Sequence, residues 1–566
     1  MNSEWIRPAK LAIGAGLLAV LILYSYQVDL FRHYLNDDSY ITLRHSRNWA
    51  EGRGPYFNVG EKVEGYTNFL LMSAMAVAIR LAGADTAPAI AKGLSIIWGG
   101  CSVLGIFFLI RQLLRHLGHP PLRAALAGLA GAGLLAVNPA YAVNCASGLE
   151  TSLLGFLLLW GVILAIRETH QERWQGSGLV FGLAILTRPE GIFLFGIFSL
   201  GQLSVGLLAT GQAVLKNIRQ ESLFAFRRYP PTLRIGLINL LIGAAFFTGQ
   251  LLFRVWTYEG EWLPNTFYAK AGGFWKGSAG SYINQGALFA IMGFGGVALA
   301  GAGYLLRRPP LRFVLPLSAL IFAGISLPWI TGTDWMVGWR MVQPYVPLLI
   351  VWAVTGWSLL LDRPLGPSAR WIGLLALCLC LAQATRSDEI RRDLCAETAL
   401  RAEGYRTGHR ALAHWLKDQS PPPGSLVALM DIGLIGYNCP NLSILDITGL
   451  TDRFIAKSPG RFLHKTYDPQ YVLDRQPEYV VLILTTPGQP YTPPPSNAVF
   501  RFWTVCEEQI HSSPAFHKNY SPPVAPVLLP TAHWTERWAA QIGAERIFEH
   551  AHPDCHYLLA VFHRRH

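Results

Sequence analysis

Asp37 and Asp38 stand side by side shortly after LAIGAGLLAVLILYSYQV, an apolar run long enough to cross a bilayer. A carboxylate at the edge of a bilayer is costly to desolvate, and two neighbours repel each other. Capping a helix takes only one acid. A pair suits a general base acting on a hydroxyl or a site for a divalent cation; a hydrated helix cap is the plainer alternative. The stretch around them, NDDSYITLRHSRNWAEGRGPYFNVGEKVEGYTN, contains the means to position them. Asn36, Asp37 or Ser39 can cap a helix running to about Glu51, with Ile41, Arg44, His45 and Asn48 on one face. Gly52 and Gly54 end it, and FNVGEK makes a tight turn. At a helix N-terminus the dipole favours an ionised carboxylate, the form a base requires.

The elements that must hold this stretch are apolar. The chain has 566 residues, 51% hydrophobic and only 14% charged, with a mean hydropathy of +0.30. Soluble proteins carry about 25% charged residues, so this is a polytopic α-helical membrane protein. Tyr24, Tyr26 and Gln27 occupy the place of a signal-peptide cleavage site, so the first run reads as an anchor. About eleven spans are expected, near 11–28, 88–110, 124–138, 149–166, 176–187, 191–207, 235–256, 286–306, 313–330, 345–361 and 371–384. Every alternate loop is basic, as with Arg111, Arg115 and Arg123, or Arg307, Arg308 and Arg312. That pattern places the basic loops and the amino terminus in the cytoplasm and the carboxyl terminus outside. It also explains the net charge of +12 without nucleic acid. The alternation requires 68–82 to lie along the outer surface as a juxtamembrane helix, with Thr67 as its cap and Gly83 as its stop.

The expected outer loops are 29–87, NPAYAVNCASGLE, TRPEG, EGEWLPNTFYAKAGG and TGTDWMVGWRMVQPY. They put Asp37 and Asp38 on the same side as Glu150, Arg188, Glu190, Tyr268, Lys270, Asp334, Trp335 and Arg340, as one outward-facing cavity would. Residues 1–384 form the membrane domain and 385–566 a soluble outer domain. In the latter, LVAL, LSILDI, EYVVLIL and HYLLAVFH read as strands and AETALRAEGYRTGHRALAHWLKDQ as helix, an α/β domain. One or two disulfides are expected among Cys395, Cys439, Cys506 and Cys555. No P-loop or GxGxxG fingerprint is present, which argues against a nucleotide-driven machine.

The string DDSYITLRHSRNWAEGRGPYFNVGEKVEGYTNFL resembles the first extracytoplasmic loop of GT-C-fold glycosyltransferases, in the branch that includes the mycobacterial terminal β-(1→2)-arabinofuranosyltransferases. SGLETSL, LTRPEG, LPNTFYAK, DWMVGWRMVQPYVP and DIGLIGY…LDITGLTD continue the resemblance in the right order. Ser39 and FNVGEK depart from the family's DDAYI and NPGE forms, but neither departure touches the acids.

The resemblance implies a polyprenyl-phosphate sugar donor, with D-arabinofuranose as the sugar. It implies an extracytoplasmic glycan or glycoprotein acceptor, and a catalytic base at Asp37 or Asp38, with Asp37 preferred. It places the protein in the bacterial inner membrane, with the active site and C-terminal domain facing the periplasm. A phosphate leaving group needs cations, and Arg188, Lys270, Arg340 and Arg44 are the candidates. Each could instead snorkel or pair with Glu190, Asp334 or lipid headgroups. Tyr268 and Trp335 could stack on sugar, or join an aromatic belt with Trp262 and Trp339; Glu150, Glu190 and Asp334 could orient the acceptor or a divalent cation. A ligase using a lipid-linked donor fits a similar cavity. A secondary transporter fits less well, because the acids cluster at one face and no internal repeat is visible.

Overall fold

A chain in lipid must satisfy its backbone hydrogen bonds internally, so its apolar runs become helices. The computed structural model describes residues 6–216, 231–270, 293–331, 336–361, 387–495, 498–520 and 534–565. The expected run at 371–384 lies outside these residues. The other runs coincide with helices Ile6–Asp29, Ala87–His116, Pro121–Ala136, Thr151–Gln171, Ser177–Thr187, Gly191–Lys216, Pro231–Thr257, Gly293–Arg307, Leu311–Thr331 and Val346–Leu360. Among the described residues, five helices are long and apolar enough to cross a membrane, or six if one bent pair counts as a single span. That pair is Pro121–Ala136 and Pro139–Ala146, which meet at 63°. Asn138 makes the break: its side chain caps the second helix at Tyr141 N, 3.1 Å, and Pro139 starts it.

The chain folds into two compact units. The first comprises Met1–Arg32, Lys92–Leu251 and Trp275–Cys395; the second comprises His33–Ala91, Leu252–Phe274 and Ala396–His566. The expected domain boundary at 384/385 falls outside the described residues. Within the first unit, helices Gly293–Arg307 and Val346–Leu360 cross closely through small residues, and a Cβ on Gly303 would collide with the Gly356 carbonyl. Membrane helices associate through such packing because lipid supplies no hydrophobic drive between them.

The second unit joins the first-loop segment to the C-terminal segment. Its main sheet contains β1 (Leu426–Leu429), β2 (Ser443–Asp446), β5 (Tyr479–Pro487), β6 (Arg501–Phe502), β7 (Arg546–Ala551) and β8 (Cys555–His563); β3 (Gly460–Arg461) and β4 (His464–Lys465) pair separately. The order is β2-β1-β5-β8-β7, with β6 beside β5. β1 runs parallel to β2 and β5, whereas β8 runs antiparallel to β5 and β7. β5 and β8 are buried along nearly their whole length, which accounts for unbroken apolar runs such as YVVLIL. Helix Ala411–Asp418 lays Leu412 and Leu416 into this core, and Ile41 and Phe57 of the first-loop segment join it. Asn58 covers the β2 edge: its Oδ1 accepts from Ile444 N at 3.0 Å and its Nδ2 donates to Ile444 O at 2.7 Å. An edge strand left with open ladder groups would invite pairing with another chain.

Three expectations need correction. The cap of helix Phe69–Ala82 is Asn68, not Thr67, because the helix begins one residue later. The run expected as one helix over 396–419 contains a π turn at Tyr405–Arg410, where Gly404 and Gly408 lie close against His550. The expected disulfides are absent among the described residues: Cys395, Cys439, Cys506 and Cys555 are all free. Cys439 and Cys506 instead lie buried within the hydrophobic core as small apolar groups.

Candidate active site

The helix predicted after Asn36 spans Asp37–Ala50. Asn36 caps it, its side chain accepting from Asp38 N at 2.9 Å. Its polar face points inward. Arg44, His45 and Asn48 are all buried, and each binds backbone. His45 Nδ1 lies 3.0 Å from Pro55 O, and Asn48 Nδ2 donates to Tyr56 O at 2.8 Å and Phe57 O at 3.0 Å. Burial pushes His45 down to about 3, so it is neutral.

Arg44, a candidate phosphate ligand, is bound within the fold. Its guanidinium donates to Phe57 O at 2.7 Å, Gly436 O at 2.5 Å, Leu442 O at 2.7 Å and Asn58 Oδ1 at 3.2 Å. Its donors are taken by oxygens inside the second unit, where it clamps the fold.

Asp37 is buried at the N-terminus of a second helix, Ile432–Asn438. Its Oδ1 accepts from Leu434 N at 2.6 Å and its Oδ2 from Gly433 N at 3.1 Å. A Cβ on Gly433 would strike the Asp37 carbonyl and carboxylate, so only glycine permits this approach. The helix dipole, which favours the ionised form, does not set the ionisation of Asp37 by itself. Burial pushes it up to about 6, with Asp431 adding repulsion, against the pull of His409 and the Leu434 amide. Asp38, one residue on, is half-buried.

Behind Asp37 lies a polar network that sequence reading missed. His409 Nε2 lies 2.9 Å from Asp431 Oδ2, and the Tyr557 hydroxyl donates to the same oxygen at 2.8 Å. His550 Nδ1 lies 3.2 Å from His409 Nδ1. Burial alone would lower His409, but the hydrogen bond and charge of Asp431, with Asp37 beyond, raise it. Burial and the neighbouring His409 push His550 well down. Asp431, which burial alone would raise, is lowered by His409 and Tyr557. These opposite shifts favour a proton on His409 over one on His550. Only Asp431 left a signal in the sequence, opening the DIGLIGY string; His409 sits on a helix with nothing to mark it.

Lys270 and Tyr268 also belong to the second unit. Lys270 is exposed, with its Nζ 5.6 Å over the Phe462 ring. Lys457 Nζ lies 4.8 Å over the Tyr268 ring, so one face of that ring is already taken.

The first unit holds the other candidates. Arg188 is buried at the end of helix Ser177–Thr187 and pairs with Glu190 at 2.5 Å and Glu150 at 3.4 Å. Its Nη2 lies 3.0 Å from Met341 Sδ. Arg340 is also buried and close enough to Arg188 to repel it electrostatically. Two guanidinium groups and two carboxylates thus share one buried region, whose cations an incoming anion could recruit. Asp334 and Trp335 lie outside the described residues. Among the described residues, no group of three or more His, Cys, Asp or Glu side chains is arranged to hold a metal ion.

Residues 392–539 match a family model described as Domain of unknown function (DUF8728). The terminal beta-(1->2)-arabinofuranosyltransferase of Mycobacterium tuberculosis is 31% identical over 198 residues, 33% of this chain and 31% of that protein. The match thus spans about a third of the curated relative's length. Among solved structures, the apo oligosaccharyltransferase of Archaeoglobus fulgidus aligns with TM-score 0.52 and 11% identity over 97% of this chain and 88% of its own. ArnT from Cupriavidus metallidurans, bound to undecaprenyl phosphate, aligns with TM-score 0.50 and 18% identity over 85% and 93%. The fold is therefore that of the GT-C membrane glycosyltransferases, with a sheet-containing C-terminal domain. Within that class, the curated relative is an arabinofuranosyltransferase.

Proposed function

We propose that this protein is a membrane glycosyltransferase that moves D-arabinofuranose from a polyprenyl-phosphate donor to an extracytoplasmic glycan or glycoprotein. The observation that carries the reading is Asp37, a carboxylate fixed by two backbone amides and raised to about 6. A base works best when held in place with a pKa near the working pH. Asp37 takes the proton of an acceptor hydroxyl, the oxygen attacks the anomeric carbon, and the bond to phosphate breaks. Polyprenyl phosphate leaves, and no nucleotide takes part. The sugar assignment draws on the arabinofuranosyltransferase relative, and the lipid-phosphate donor on the undecaprenyl phosphate bound by ArnT. The greater exposure of Asp38 favours a second assignment, in which Asp38 is the base and Asp37 anchors the helix.

Purified protein given a labelled polyprenyl-phosphoryl pentose and an acceptor glycan, without nucleotide, is expected to release polyprenyl phosphate. No release, or release of a diphosphate only from a diphosphate-linked donor, would favour the ligase.

Arg188, Arg340 and Lys270 are proposed to neutralise the leaving phosphate, with Glu150 and Glu190 holding Arg188 in place beforehand. Tyr268, Asp334 and Trp335 are proposed to contact sugar or acceptor. Alanine at a true phosphate ligand should weaken donor-lipid binding, and at buried Arg188, whose loss strands Glu150 and Glu190, it should lower the melting temperature as well. Wild-type donor affinity in all three alanine variants would remove the assignment. The alternating basic loops support placing the C-terminal segment on the periplasmic side of a bacterial inner membrane. A periplasm-dependent reporter fused after His566 should then be active, and activity of a cytoplasm-dependent one would overturn the topology.

A further inference from the structure

We propose that the second unit carries a separate groove that holds a neutral oligosaccharide; it rests on the transferase reading for the supposition that this ligand is the acceptor polymer. The groove has a volume of about 920 Å³ and runs along the β2 edge, between the turn at 60–63 and the segment 451–475. Its floor is a stack. Phe454 and Tyr471 lie ring on ring, centroids 4.1 Å apart at 26°, and the Arg475 guanidinium sits 3.6 Å over the Tyr471 ring. Two groups that close to one ring must take opposite faces, so Tyr471 is sandwiched. Its hydroxyl is fixed as well, donating to Asp452 at 3.0 Å. Phe454 is 51% exposed, leaving aromatic surface open to the groove.

Charge in the lining cancels, with four carboxylates and four Lys or Arg side chains. Several of these charges satisfy each other: Arg453 pairs with Glu259 at 3.3 Å, and Lys457 pairs with Glu261, beside the groove, at 2.6 Å. An anionic ligand would meet as many carboxylates as cations. An apolar chain would bury those charges without replacing their water. A neutral sugar polymer meets both demands, because its C–H faces can lie on Phe454 while its hydroxyls bond to carboxylates and guanidinium groups. Thr451, also in the lining, has a buried hydroxyl with no hydrogen-bond partner. Binding sites commonly combine an apolar platform with a few fixed polar groups in this way.

The test uses the full chain in detergent, titrated with a neutral arabinan oligosaccharide and, in parallel, with polygalacturonate of the same length. Thermophoresis reads binding, and polyprenyl phosphate release is measured separately on the same preparation. Saturable binding of the arabinan is expected, weakened about tenfold by Phe454→Ala. Phe454→Leu, which keeps apolar bulk without the ring, should weaken it similarly and guards against a misfolded variant. No arabinan binding, preference for polygalacturonate, or unchanged affinity in both variants would overturn the groove. Lost saccharide binding with normal polyprenyl phosphate release would remove the groove and leave the transferase reading. Saccharide binding without release would do the reverse.

Discussion

Asp37→Asn is expected to reduce sugar transfer by roughly 10²–10⁴-fold, the usual loss on removing a positioned general base. Stability should barely fall, and the sign follows from the raised pKa. Asp37 moves from the ordinary aspartate value of 3.8 to about 6 in the folded chain. Between those values the folded state binds more proton than the unfolded state, so this group's contribution to stability falls as pH rises through the window. At neutral pH the ionised form is the strained one, and a neutral Asn relieves that strain while losing one of the two amide bonds. A nearly inactive variant that melts like wild type would therefore mark chemistry and not packing. Asn accepts backbone hydrogen bonds much as Asp does, so a purely structural role predicts near-normal rates for Asp37→Asn and Asp38→Asn alike. The pH profile offers an independent check. With Asp37 as the base, kcat/KM should fall on the acid side with a midpoint at about 6. If Asp38→Asn alone loses activity, the second assignment holds. Full activity in both variants would reduce the pair to a structural role.

Arg44→Ala should destabilise the fold by about 3–5 kcal/mol, the range for stripping one partner from a buried charged network. The physical cause is a set of orphaned acceptors. The Phe57, Gly436 and Leu442 carbonyls all receive the Arg44 guanidinium in a buried site. Each buried polar group left without a partner costs about 1–3 kcal/mol. Lysine should rescue poorly, because one ammonium cannot reproduce the planar fork that reaches these carbonyls. Thermal unfolding in detergent, beside a donor-lipid binding assay, separates the roles. A variant that melts normally but fails to bind donor would restore Arg44 as a phosphate ligand.

The contrast between Asp37 and Arg44 shows where sequence reading reached and where it stopped. Local information was enough for the helix after Asn36, because capping and apolar spacing act over a few residues. The apolar runs likewise coincide with described helices, of which five or six are long and apolar enough to cross a membrane. Strands β1, β2, β5 and β8 stood out as β-rich apolar runs, while the two-residue β6 and the charge-interrupted β7 did not. The alternation of basic loops gave an orientation, and the DD…VEGYTN string a family resemblance.

Tertiary structure decided what those residues face. Helical spacing placed Ile41, Arg44, His45 and Asn48 on one face but could not show that the face is buried against Phe57, Gly436 and Leu442. Asp37 meets Gly433 and Leu434 from nearly 400 residues away, and His409, Asp431, His550 and Tyr557 gather from four separate segments. The pKa of a carboxylate depends on burial and on charges brought near by folding, neither of which is a local property of the chain. So the sequence by itself named the acids, their helix and the membrane setting. The fold decided that Asp37 is raised toward neutrality by desolvation, and that Arg44 spends its charge on backbone carbonyls.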